Sequence, residues 1–464
     1  MLFNSVAFAV FFPVVLAIVF LLQEKNTYKK VFLVAASLFF YAHWNASYGW
    51  LIVGSILFNY FIAGIIARSQ NARKRKLLVS FAIAGNLLLL GTFKYTNFVI
   101  DNINSLDSLI NIGPITPVNI VLPIGISFFT FQAMSYVIDV YRRRTRHASF
   151  IDTALFISFF PQLIAGPIIR ATQVIPQFSK TRLLRFDNLV LGSHRIFWGL
   201  IKKMVIADNL AIFVNHAFAQ HAEYNWLTLL LAAYAFGFQI YCDFSAYSDI
   251  AIGCMKIMGY DIPENFNLPY IASGFSDFWK RWHISLSSWL KDYLYIPLGG
   301  NRMGLERTYV NVMITMFLGG LWHGARWTFV IWGLLHGFYL VMEKLTEKKI
   351  KLPENPIANF LKIFVTFQLI SLAWIFFRAE NFSQGYAIAR SILTLKTGTV
   401  FLTPGALTLL LACFAIHILR ARVAVYKVFM SLPYYVRYFA YSTGIFLLFF
   451  NKSSLSSQFI YFQF

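Results

Sequence analysis

Apolar runs follow one another along the whole chain, separated by short polar turns. The first covers residues 6–22. Others cover 31–43, 49–66, 77–93 and 118–140, then 205–218, 227–252, 310–321, 328–342, 360–377, 407–419 and 436–450. A helix that crosses a bilayer needs about 20 apolar residues. The pattern therefore predicts an all-α polytopic membrane protein of about 11–13 crossings, with re-entrant or interfacial helices where the runs fall short. The run 6–22 has no basic n-region and no small-residue cleavage site, so it reads as a first span that stays. The run 153–169 has basic residues on both sides and no outward loop to lead into, and is expected to be re-entrant or to lie in the interface. No separate soluble domain is visible, so residues 1–464 read as one membrane-embedded domain.

Residues 263–307 carry a different pattern. Pro263-Glu264-Asn265-Phe266-Asn267-Leu268-Pro269-Tyr270 cannot be regular helix throughout, because Pro269 lacks a donor and restricts its predecessor. After it, Trp279, Trp282, Leu286, Trp289 and Leu290 fall on one helical face, while Lys280, Arg281, Ser287 and Lys291 lie mostly elsewhere. That arrangement predicts a helix lying in the headgroup layer, with Ser276 or Asp277 as its N-cap. Pro297 to Arg302 reads as a turn.

Composition sharpens the membrane reading. Apolar residues make up 58% of the chain and charged residues only 13%, whereas a soluble domain carries about a quarter charged residues. The net charge of +21 is not a nucleic-acid signature here. The basic residues sit in short clusters between spans, without interleaved aromatics: Lys29-Lys30, Arg68 to Lys76, Arg142-Arg143-Arg144, Lys202-Lys203, Lys348-Lys349 and Arg420 to Arg422. Such clusters face anionic headgroups on the cytoplasmic side. Even numbers of runs separate the early clusters, which places them all inside and the N-terminus outside.

Candidate chemistry lies in the block Gly319-Gly320-Leu321-Trp322-His323-Gly324-Ala325-Arg326-Trp327. An ionisable side chain at membrane depth is costly and is rarely kept without a task. Glycines on both sides of His323 interrupt helix and permit close approach, which suits an opening where a substrate meets a base. The bland alternative is a packed His satisfied by a backbone carbonyl. His336 sits in a strongly apolar run and reads as structural. Asp243 and Asp249, six apart in an apolar helix, belong on different faces; Asp243 either lines a cavity or bonds a neighbouring helix. The remaining histidines and Cys242, Cys254 and Cys413 show no metal-ligand spacing, so no metal site is expected.

Taken in order, several blocks resemble one family. Leu122-Pro123-Ile124-Gly125-Ile126-Ser127-Phe128, Pro161-Gln162-Leu163-Ile164-Ala165-Gly166-Pro167 and Tyr241-Cys242-Asp243-Phe244-Ser245 come first. Asp277-Phe278-Trp279-Lys280-Arg281-Trp282-His283-Ile284-Ser285, Tyr293 to Arg302 and Gly319 to Gly324 follow. Together they look like the membrane-bound O-acyltransferase family, in its bacterial alginate O-acetyltransferase-like branch. The core of the likeness spans about 121–343.

The resemblance implies a central catalytic cavity, with His323 the residue credited with catalysis and His283 a second site residue. Trp322, Trp282, Asp243 and Tyr295 are the expected substrate-binding residues. It also implies acetyl transfer from a cytoplasmic thioester, acetyl-CoA or another acetyl thioester, to a hydroxyl reached from the other side, with no resident cofactor. An alcohol attacking a thioester needs a general base, and His suits that task. No Ser or Cys elbow lies near His323, so direct transfer is simpler than an acyl-enzyme. The expected setting is a bacterial inner membrane and an exported polysaccharide pathway (alginate-like, cellulose or peptidoglycan). Membrane lipids and a periplasmic acetyltransferase are the expected partners. The alternatives are D-alanyl transfer to teichoic acid from a carrier protein and, on the broken helices alone, a secondary transporter. A transporter is expected to show an inverted repeat, yet the Trp-His blocks occur once.

Overall fold

A computed structural model of the chain describes residues 1–107, 113–164, 166–349, 355–451 and 459–460. The described residues form helices, with one isolated bridge between Tyr224 and Thr399. Among them, five helices are long and apolar enough to cross a membrane: Ala46–Arg68, Ala72–Lys94, Trp226–Ile257, Pro356–Arg378 and Pro404–Arg422. The other apolar runs form shorter, broken or more polar helices, such as the 16-residue Val6–Leu21. The chain divides into two compact units, Met1–Phe197 with Tyr247–Pro263, and Trp198–Ala246 with Glu264–Phe464.

In the first unit, side-chain oxygens start the helices. Ser5, Asn45 and Asn71 each accept from a backbone N–H in the first turn of the helix that follows. Asn59 and Asn86 exchange amide hydrogen bonds at 2.8 and 3.2 Å between Ala46–Arg68 and Ala72–Lys94. Polar side chains join helices this way where no water competes. Three of the basic residues are tied to other elements of the unit. Lys30 pairs with Asp152 at 2.7 Å, Lys29 donates to the Arg182 carbonyl, and Arg75 donates to the Tyr141 carbonyl. The run 153–169 is broken: Phe150–Ser158 ends at Phe159, and the four-residue helix Phe160–Leu163 follows. Neither piece reaches spanning length. Gly125 has φ +73°, and a Cβ there would strike the Leu163 carbonyl. The first two sequence blocks are therefore packed against each other, and only glycine fits.

The second unit holds a dense aromatic core in which Trp282, Trp332 and Trp374 are wholly buried. Leu305–His323 and Trp327–Lys349 form a helical hairpin. The first of these is 19 residues long, longer than its apolar run, because Leu305 to Tyr309 supply a polar first turn. Where Lys202-Lys203 suggested a loop, the chain stays helical as a π-turn, Ile201–Ala207. Lys203 is 0% exposed. It pairs with Asp208 and Asp243, each at 2.9 Å. Lys203 is therefore not a headgroup contact, and the half-buried Lys202 donates to Ser245 at 2.8 Å.

The single interfacial helix expected after Pro269 is also corrected. The structure has two seven-residue helices, Phe275–Arg281 and Ile284–Leu290. His283 separates them in the left-handed conformation, φ 41° and ψ 54°. The one-sided burial holds for most of the face: Trp282, Leu286, Trp289 and Leu290 are buried and Trp279 is half-buried, while Lys280 and Lys291 are exposed. Neither Ser276 nor Asp277 is the N-cap. Gly274 occupies that position, and the cap is the Glu343 carboxylate. It accepts from the backbone N–H of Phe275 at 2.6 Å and of Ser276 at 2.8 Å, and from the Ser276 hydroxyl. An anion at a helix N-terminus meets unpaired donors and the positive end of the dipole.

Candidate active site

His323 is the last residue of its helix. The helix stops there because Gly324 is extended, at φ −165° and ψ 155°, and three residues later a new helix starts at Trp327. The imidazole is 4% exposed. Its ring centroid lies 5.0 Å from that of Trp322, 5.0 Å from that of Trp332 and 5.2 Å from that of Phe377, all near edge-to-face. Such packing fixes the orientation of the ring.

His283 is 0% exposed. Phe244 meets it edge-on at 4.6 Å, Phe266 stacks at 6.4 Å, and Trp322 lies at 6.0 Å. Trp322 therefore touches both histidines, and the two sequence blocks that carry them converge on one indole. The site is held by a tight hairpin. A Cβ on Gly320 would press on the Phe329 carbonyl and stand 3.1 Å from the Gly333 Cα, and a Cβ on Gly333 would press on the Met316 carbonyl. The glycines flanking His323 thus serve helix contact as well as the helix end.

The other expected residues have different surroundings. Trp282 stacks on Phe278 at 5.7 Å and meets Trp374 at 4.9 Å, in the wall of the same core. Asp243 is engaged by Lys203 and by the backbone N–H of Ile460 at 2.9 Å, so its carboxylate is occupied by structure. Its neighbour Phe244, which the sequence did not single out, touches His283. Tyr295 closes the π-turn Lys291–Tyr295, and its carbonyl accepts from Gly300. Its hydrogen bonds place it in the turn before Arg302 and do not join it to either histidine. His336 is wholly buried beside Trp332 at 4.7 Å and Trp279 at 5.2 Å. Among the described residues neither of its ring nitrogens has a hydrogen-bond partner.

Two residues that matter were missed. Asn265 is 1% exposed and binds His283 and Ser285 through its side chain. Its only signal was a side-chain amide in a proline-bounded stretch that could not be helix. Glu343 lies 60 residues beyond His283 in the chain and gave no local signal. Among the described residues no cluster of three or more His, Cys, Asp or Glu side chains is placed to hold a metal. A cavity of about 310 Å³ lies in the first unit, lined by Tyr41, His43, Trp44 and Ile164 among others, and contains none of the candidate site residues.

A family model described as MBOAT, membrane-bound O-acyltransferase family, matches residues 37–379, a range that contains every residue of this site except Ile460. The chain belongs to the membrane-bound O-acyltransferase family. It is 41% identical over 428 residues to a peptidoglycan O-acetyltransferase of Helicobacter pylori, covering 85% of this chain and 80% of that one. It is also 41% identical to a probable alginate O-acetylase of Pseudomonas aeruginosa, over 86% of this chain and 76% of the relative. A teichoic acid D-alanyltransferase of Bacillus subtilis is 29% identical over 72% of this chain and 89% of its own length. This membrane-bound O-acyltransferase is thus a multi-pass membrane enzyme that transfers acyl groups.

Proposed function

We propose that this enzyme moves an acetyl group from a cytoplasmic thioester to a hydroxyl on the far side of a bacterial inner membrane. There it serves O-acetylation of an exported polysaccharide of the alginate or peptidoglycan kind. The convergence of His283 and His323 on Trp322 carries the reading. It puts two basic side chains around one aromatic surface in a core that excludes water. Water exclusion matters, because a thioester open to water is lost to hydrolysis.

His323 is the general base. Its ring nitrogen takes the proton of the acceptor hydroxyl as the oxygen attacks the thioester carbonyl. The tetrahedral centre collapses, the C–S bond breaks, and the proton passes from His323 to the departing thiolate. The products are an acetyl ester and a free thiol, so protons and electrons balance without a redox partner. The acetyl group is the choice over D-alanyl because the 41%-identical relatives are named for O-acetyl transfer, whereas the D-alanyltransferase stands at 29%. A periplasmic acetyltransferase completes delivery to the glycan.

The test is radiolabel transfer in membrane vesicles with the cytoplasmic face outward. Acetyl-CoA labelled in the acetyl group is supplied outside, and D-alanyl carrier protein in a parallel arm. Label from acetyl-CoA reaching a lumenal hydroxyl acceptor supports the proposal. Label moving only from the D-alanyl donor assigns the enzyme to teichoic acid modification.

A further inference from the structure

Asn265 and His283 stand 18 residues apart in the chain and meet through their side chains, with His283 Nδ1 3.2 Å from Asn265 Oδ1. Which end of an amide is oxygen is ordinarily inferred, not seen. Here the surroundings decide it. The backbone N–H of Ser285 points at the same atom from 3.2 Å, and the Ser285 hydroxyl from 2.8 Å. A backbone N–H can only donate, so the atom it meets is the acceptor oxygen. Nδ1 of His283, facing that oxygen, must then carry the ring proton, and the lone pair of the neutral ring falls on Nε2.

The backbone locks the pair. The Asn265 carbonyl accepts from the Ile284 N–H at 2.9 Å, and the Arg281 carbonyl accepts from the Asn267 N–H at 2.9 Å. These bonds clamp the Pro263–Tyr270 stretch on both sides of His283. His283 itself is held in the left-handed region, at φ 41°, a conformation that is strained for a residue with a Cβ. Such strain persists only where the surroundings over-determine it, as they do here.

We propose that Asn265 is a positioning residue that fixes His283 as the Nδ1–H tautomer. Nε2 is thereby fixed as the acceptor atom of the ring. A neutral ring with its lone pair at Nε2 cannot donate to an acyl oxyanion from that atom. His283 therefore serves the hydroxyl side of the reaction, receiving a hydrogen bond from the acceptor, while His323 takes the reacting proton. The assignment of roles rests on the acyl-transfer reading above; the tautomer does not.

The experiment is solid-state NMR of the full-length protein, labelled with ¹⁵N-histidine and reconstituted in lipid. The His283 signals are identified by their loss in His283→Gln. The expected spectrum has a protonated Nδ1 and an unprotonated Nε2. Asn265→Asp keeps an acceptor oxygen and keeps that tautomer. Asn265→Leu loses it, and kcat falls by about 10²-fold while the thioester KM stays within about twofold. A wild-type His283 protonated at Nε2 overturns the proposal, as does a folded Asn265→Leu protein with unchanged tautomer and kcat. If Asn265→Leu does not fold, the wild-type and Asn265→Asp spectra decide alone. The expected tautomer in a protein that transfers no acetyl would leave Asn265 in place and remove the acetyl-transfer reading.

Discussion

A Cβ built on Gly320 would stand 3.1 Å from the Cα of Gly333, so the two helices that carry His323 and His336 touch backbone to backbone. Nothing larger than hydrogen fits between them. Gly320→Ala is expected to destabilise the protein by about 1–3 kcal/mol through overpacking, and to lower activity by displacing His323. Melting temperature and acyl transfer of the purified variant check this. Gly304→Ala, where an added Cβ meets nothing within 4 Å but the φ is +86°, separates backbone strain from crowding at the hairpin.

Much of this arrangement was legible along the chain. The Trp279, Trp282, Leu286, Trp289 spacing was visible, and of these Trp282, Leu286 and Trp289 are buried while Trp279 is half-buried. The break at His283 was not, because a left-handed residue with a Cβ is stabilised by contacts from Asn265, 18 positions away. Lys203 looked like a loop charge because its partner Asp243 lies 40 positions further on. Local pattern reports amphipathicity well, and distant pairing poorly. His323 and Trp322 were evident because adjacent residues carried the whole signal, whereas the Glu343 cap depends on two helices meeting.

Lys203 holds two carboxylates in a buried setting. Removing one member of such a group leaves a charge uncompensated, and typically costs about 3–5 kcal/mol. Lys203→Met is expected to lower the yield of folded protein in membranes sharply. The combined variant Lys203→Met, Asp208→Asn, Asp243→Asn is expected to recover much of it. Size-exclusion chromatography of detergent-solubilised protein measures both. Equal yields for the single and combined variants would mean that the charges are not coupled.

Glu343 caps the helix that leads to His283. Glu343→Gln retains an acceptor and is expected to lose less than Glu343→Ala, which leaves the Phe275 and Ser276 donors unpaired at a cost of about 1–2 kcal/mol. Thermal melts of the two variants should rank wild type, Gln, then Ala.

The basic clusters between the early apolar runs set an expected orientation. Single cysteines at Arg73 and Arg143 are expected to react only with reagent that has crossed the membrane, and one at Asn381 with reagent supplied from the periplasm. Periplasmic labelling at Arg143 would reverse the orientation.

Acetyl transfer by His323→Ala, compared with His283→Ala and His336→Ala at equal membrane expression, tests the central claim most directly. Loss of a general base lowers the rate by roughly 10²–10⁴-fold. The expected order is near-complete loss for His323→Ala and partial loss for His283→Ala, with His336→Ala changing thermal stability more than turnover. Near-normal turnover in His323→Ala, with loss in His336→Ala, would contradict the account and make the Trp-His-Gly block a packing element.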